Sequence, residues 1–379
     1  MSGAQMHNIF GAKYGELFHE MYREAGKRTF LKARAMYVGS QAHPTTFYSD
    51  SYDYPNYILG VVNSGWGGWV WAPEVRSATA NADFTRRAQL MLFSALASMD
   101  GWNTGFVPWN STAVDAESEA MFATYAQERA KLLPFLYSAY RRQGVEGIPV
   151  ARAMIVDFDN DTASYTIEDQ YLLGDGLMVA PVGATQNQNS TQRTVHFPPG
   201  YDWVDYWNPT TGVTHKGGST SVVPAPLTTL PLFQRKGSVV PMLDLGDETV
   251  LVLKTQDTGQ PHHGSVYDDD GISTNAELHA EYFHLATETS YESGVTLTLH
   301  VEHAQWEPAW RHVRWEVAGS LVEQWESVTC GGKNLPRVAM MDTIRGGEAD
   351  KGWAVAQAKA TLLLPITAVA GWEVTCIAK

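Results

Sequence analysis

Residues 1–158 alternate between helical and extended periodicity, and that alternation limits the folds open to the chain. Helical spacing runs over residues 8–26 and ends at Gly26, after which Thr29–Met36 reads as a buried strand with Arg34 inside it. A short helix follows over 54–63, and Gly68–Ala72 is apolar and bulky enough for a second buried strand. Asp83–Ala97 is strongly helical, with Phe93–Met99 shading into a weaker third strand. Residues 116–142 form the longest helical stretch, interrupted at Leu132-Leu133-Pro134, and Pro149–Asp157 reads as a fourth strand. Strand and helix in alternation imply a parallel sheet with helices outside. Four strands do not close an eight-stranded barrel, so the pattern leaves either half a barrel or an open sheet.

From about residue 178 the texture changes. Met178–Val182 begins a series of short strands separated by Pro, Gly, Asn and Thr turns, among them Trp203–Trp207 and Thr249–Lys254. A second β-rich block starts near Gly259 and takes in Val295–Val301, Thr361–Pro365 and Trp372–Cys376. Regular short strands with turn punctuation indicate antiparallel sandwiches. The expected domains are therefore 1–177 (α/β), 178–258 (a proximal β-sandwich) and 259–379 (a distal β-sandwich).

A formal charge of −14 repels phosphate backbones and anionic lipid, which argues against nucleic-acid or membrane partners and for a neutral substrate. Two cysteines, Cys330 and Cys376, are too few for a disulfide framework or a structural zinc site, and their number does not decide whether they pair. No histidine pair has metal-ligand spacing and no glycine-rich loop follows a strand, so no cofactor is implied, neither metal nor nucleotide. Asp268-Asp269-Asp270-Gly271 lacks the alternating ligands of a calcium loop and reads as a turn.

Several segments carry chemistry-bearing residues. Arg34 lies in an otherwise apolar strand, where an unpaired charge is costly, so it should face a carboxylate or polar ligand, or else a structural ion-pair partner. Asp50 closes a loop crowded by Phe47, Tyr48, Tyr52 and Tyr54, which favours a raised pKa; the same Ser-Asp-Ser-Tyr-Asp run also suits a turn or helix cap. Glu74 follows Trp69-Val70-Trp71-Ala72-Pro73 and by itself reads as a surface partner of Arg76. Asp100, in Met99-Asp100-Gly101-Trp102-Asn103, by itself reads as a turn former. Tryptophans such as Trp71 and Trp102 offer flat faces that suit a sugar ring, although tryptophans in a buried strand serve equally as core.

The run Thr29–Asp50 resembles glycoside hydrolase family 31, the α-glucosidase and α-xylosidase family, with Phe47-Tyr48-Ser49 in place of the family's Trp-Ser-Gly. Lys131–Ser138 is similar to that family's Arg-Leu-Leu-Pro-Tyr-Leu-Tyr-Ser, and Asp83–Gln89, Asp169–Val182 and Tyr267–Gly271 resemble further segments in the same order. The resemblance implies strands five to eight of a (β/α)8 TIM barrel followed by the two sandwiches. It also implies a retaining double displacement on α-linked glycosides, with Asp50 as catalytic acid/base and the nucleophilic aspartate on a strand preceding Met1. Substrate-binding roles would fall to Arg34, Phe47, Trp71, Glu74, Arg86, Asp100, Trp102 and Asn103. The implied partners are a carbohydrate substrate and either the N-terminal half of the barrel or a second copy through the open barrel edge. The altered motifs keep a non-catalytic carbohydrate-binding or regulatory homologue as the alternative.

Overall fold

The computed structural model describes residues 1–29, 31–34, 37–43, 46–47, 53–78, 80–101, 105–183, 187–210, 213–292, 294–338 and 352–379. The N-terminal third holds helix α1 (Gly3–Glu24) and strands β1 (Lys32–Ala33) and β2 (Thr46–Phe47), followed by helix α2 (Tyr54–Ser64) and strands β3 (Val70–Trp71) and β4 (Glu74–Val75). It continues with helix α3 (Asn81–Leu92), strand β5 (Ser98–Met99), and helices α4 (Ala116–Lys131) and α5 (Leu133–Glu146). Strands β1, β2 and β3 pair in parallel with Ala33, Phe47 and Trp71 in register. β4 pairs in parallel with β5.

Local chemistry sets the helix ends. Ser2 and Gln5 form a capping box on α1, Asp53 caps α2, and Asp115 caps α4 by accepting from the Ser118 N–H. Glu117 and Glu119 lie in the first turn of α4 and Arg129 and Lys131 in its last, as the helix dipole favours. The break expected at Leu132–Pro134 is present: α4 ends at Lys131, and α5 restarts with its proline in the first turn, where no intrahelical N–H is needed.

The segment read from sequence as a fourth parallel strand is placed differently. Ala151–Ala153 is β6 and pairs antiparallel with β7 (Tyr171–Leu173), which pairs with β8 (Leu177–Val179). This sheet continues through β13 (Leu232–Arg235), β10 (Trp203–Asp205) and β11 (Thr214–His215), and it faces the ribbon of β9 (Gln192–Phe197) and β12 (Ser219–Pro224). Phe197, Trp203, Phe233, Met178 and Val195 fill the space between. Antiparallel pairing thus runs across the expected seam at 177/178. An apolar run of this length fits either kind of buried strand, and periodicity does not separate the two. The missed parallel strands are β2 and β4, each of two residues and so too short to show a period.

The C-terminal sandwich has one sheet of β14 (Val240–Leu243), β15 (Val250–Gln256), β19 (His312–Ala318), β23 (Lys359–Pro365) and β22 (Gly352–Ala356). The other contains β16 (His262–Asp268), β17 (Phe283–Ser290), β18 (Val295–Ala304), β24 (Glu373–Ala378), β20 (Val328–Cys330) and β21 (Lys333–Asn334). β15 pairs in parallel with β19, so sheet pairing also crosses the expected boundary at 258/259. Strict alternation of burial along Phe283–Ser290 and Val295–Val301 puts Phe283, Leu285, Leu297 and Leu299 into the core. Cys330 lies directly opposite Cys376 in the β20–β24 ladder, and the two form a disulfide.

Candidate functional site at the ends of the parallel strands

Three of the parallel strands, β1, β4 and β5, carry polar side chains at or next to their ends. Arg34 follows β1, Arg76 follows β4 and Asp100 follows β5, while Glu74 opens β4. In a parallel α/β barrel the C-terminal ends of the strands are where functional groups gather. Lys32 in β1 sends its Nζ 2.8 Å to Ser98 Oγ on β5 and 3.6 Å to Glu74 Oε1. One lysine therefore spans from the first parallel strand to the last.

Glu74 is the centre of this cluster and only 5% exposed. Arg76 Nε donates to its Oε2 at 2.7 Å. Its Oε1 is buried and accepts no hydrogen bond among the described residues. Burial pushes the Glu74 carboxyl above its ordinary value and the neighbouring Asp100 carboxyl adds to the rise, against the pull of Lys32 and Arg76. The expectation of a Glu74–Arg76 pair holds, but the pair is buried rather than at the surface.

The structure brings Glu74 and Asp100 together and adds Lys32 and Arg76, which the sequence reading did not place in the site. The missed signal for Lys32 is its position two residues before Arg34, since residues two apart share a face of a strand. Arg34 is exposed at the end of β1. Asp50, Trp102 and Asn103 lie outside the described residues, as does the side chain of Phe47.

Two expected ligands are placed elsewhere. Trp71 is 4% exposed and packs edge-on against Tyr57 at 5.5 Å, against Gly60, where a Cβ would come within 2.6 Å of the indole. It is therefore core, as the alternation of β3 allows. Arg86 is fully buried on α3, and its guanidinium donates to the carbonyls of Gln188, Ser190, Ala225, Pro226 and Thr229 and to Gln89 Oε1. It ties the helix layer to the proximal sandwich and has no donor left for a sugar.

Residues 1–139 match the glycosyl hydrolases family 31 TIM-barrel domain, and residues 147–240 match the glycosyl hydrolase family 31 C-terminal domain. The chain is 26% identical over 323 residues to Alpha-glucosidase 2 of Bacillus thermoamyloliquefaciens, covering 81% of this chain and 40% of that protein. It is 29% identical over 261 residues to an isomaltosyltransferase of Sporosarcina globispora, covering 63% and 23% respectively. The chain thus spans less than half the length of these curated relatives. Its fold superposes on a Flavobacterium johnsoniae family 31 dextranase complexed with isomaltotriose, with a TM-score of 0.84 at 23% identity, over 99% of this chain and 49% of that one. Domain matches in the order of the two fold regions, relatives along most of the chain and a shared fold all agree: this chain belongs to glycoside hydrolase family 31.

Proposed function

We propose that the chain supplies the acid/base and sugar-binding half of an active site that cleaves α-linked glycosides with retention. The observation that carries this reading is the convergence of Lys32, Glu74, Arg76 and Asp100 at the strand ends of a family 31 chain. Glu74 Oε1, buried and accepting no hydrogen bond, suits a sugar hydroxyl, while Lys32 and Arg76 hold the carboxylate in place. Retaining glycosidases use two carboxyl groups, one attacking the anomeric carbon and one moving a proton. In this reading Asp50 protonates the leaving oxygen and then activates water, and a carboxylate outside these residues is the nucleophile. The relatives include hydrolases and glycosyltransferases, which differ in whether water or a second sugar accepts the glycosyl group.

The test is Asp50→Ala in the native polypeptide carrying these residues, assayed on 4-nitrophenyl α-glucoside and α-xyloside. Loss of acid/base catalysis lowers turnover by about 10²–10⁴-fold, and azide, which needs no general base, restores release of this good leaving group. Unchanged turnover removes Asp50 from the mechanism. Saccharide binding without hydrolysis by the wild type would favour a non-catalytic homologue.

A further inference from the structure

A cleft of about 310 Å³ lies where α4, the Tyr206–Thr210 turn of the proximal sandwich and β15 of the distal sandwich meet. None of the strand-end residues lines it. Its carboxylates are already satisfied: Glu128 accepts from Tyr206 Oη at 2.6 Å and Lys131 Nζ at 2.9 Å. Glu316 accepts from Arg314 Nε at 2.9 Å and pairs with Lys359 Nζ at 2.7 Å.

Two side chains of β15 on the cleft wall, Lys254 and Gln256, have polar groups left for a ligand. Lys254, its side chain 35% exposed, pairs loosely with Glu128 Oε1 at 3.8 Å and stands over the Tyr206 ring, so its Nζ keeps donors for the cleft. Burial pushes its ammonium below the ordinary value even with Glu128 and Glu316 nearby. Gln256 is 2% exposed, and its Oε1 is buried with no hydrogen-bond partner. The two residues are separated by one position on β15 and so share a face of the strand, and both line the cleft. A buried amide oxygen left this way is costly unless a ligand or ordered water meets it. The half-buried Trp207, stacked on Tyr125 at 4.6 Å, also lines the cleft, its own N–H already given to the Leu230 carbonyl.

We propose that this cleft binds a neutral, hydroxyl-rich ligand of about one pyranose ring, at a site separate from the strand-end cluster. The charges lining it balance, with Glu128 and Glu316 against Lys254 and Lys359, so an anion or cation gains no net attraction. Hydroxyl groups both donate and accept, and so meet the ammonium of Lys254 and the carboxamide of Gln256 at once. Trp207 adds apolar aromatic surface to the wall, of the kind a ring's C–H groups pack against. The volume is at the lower end for small-molecule pockets, which favours one ring over an oligosaccharide.

Methyl α-D-glucopyranoside is the probe, measured by ligand-observed saturation-transfer NMR on the full chain, on Gln256→Leu, on Lys254→Met and on Glu74→Gln. The expected result is binding with Kd on the order of 1 mM that Glu74→Gln leaves in place and that Gln256→Leu and Lys254→Met each weaken by roughly tenfold. Thermal melting of each variant shows whether it is folded; Gln256→Met, which keeps the length and removes the accepting oxygen, is the substitute if Gln256→Leu does not fold. Binding that vanishes in Glu74→Gln and persists in both β15 variants overturns the proposal, as does tighter binding of inorganic phosphate than of the glucoside. A soaked crystal with only water in the cleft overturns it as well.

Discussion

Glu74 and Glu316 are buried alike, 5% and 8% exposed, yet their carboxyls are displaced in opposite directions. Glu74 is pushed up by burial and by Asp100; Glu316 is held down by Lys359 and Arg314 in spite of burial. The difference is one of partners. Glu316 has a cation on each oxygen, whereas Glu74 has one close cation, a second at 3.6 Å and a neighbouring carboxyl. Glu316 also stands on a seven-residue strand inside a sheet, and Glu74 on a two-residue strand. The distal sandwich spends its buried charge on holding itself together, while the strand ends keep a carboxylate under-solvated, which is the condition a binding or proton-transferring group needs.

The largest effect expected is at the joint between the two regions. Arg86→Ala leaves five carbonyls of the proximal sandwich without their donor and should cost about 3–5 kcal/mol in urea unfolding. A loss below roughly 1 kcal/mol would mean that the helix layer and the sandwich are not coupled through this residue. Next, Cys330→Ser with Cys376→Ser opens a link between residues 46 apart and should cost about 3 kcal/mol. That loss should appear in hydrogen exchange of the distal strands before that of α2 and α3, and uniform loss would contradict separate regions.

Glu316→Gln should cost about 2 kcal/mol at pH 7. Because its folded carboxyl is held low, its contribution is present above the ordinary value of 4.5 and fades as pH falls below it. The gap between wild type and variant should therefore narrow on acidification; a widening gap reverses the assigned direction. The smallest effect belongs to Glu74→Gln, within about 1 kcal/mol. Its folded carboxyl is raised, so protonation favours the fold, and that contribution is full below 4.5 and is lost as pH rises through the folded value. Glutamine copies the protonated form, so the variant should gain on the wild type between pH 4.5 and neutrality. Opposite trends at Glu316 and Glu74 would sharpen the comparison most.

Much of the fold is legible in the sequence where periods are long enough to read. The break at Leu132–Pro134, the caps at Asp53 and Asp115 and the alternation along β17 and β18 all act within a few residues of themselves. The two-residue strands β2 and β4 leave no period to detect. Ala151–Ala153 reads as apolar whether its neighbour runs parallel or antiparallel. Site residues divide in the same way. Glu74 and Asp100 are legible from motif positions, whereas Lys32 belongs to the site only through its side chain crossing to Ser98, and Arg86 belongs to the fold because its donors reach carbonyls more than one hundred residues away.

What the sequence determined by itself is the family, the order of an α/β region before two β-rich ones, and the balance of charge that favours a neutral ligand. These depend on composition, local period and linear motif order. Only the tertiary structure decided which buried charges face a site and which serve as joints. That choice depends on partners distant in the chain, Lys32 with Ser98, Arg86 with Ala225, Glu128 with Lys254, and on how many of them meet each buried group.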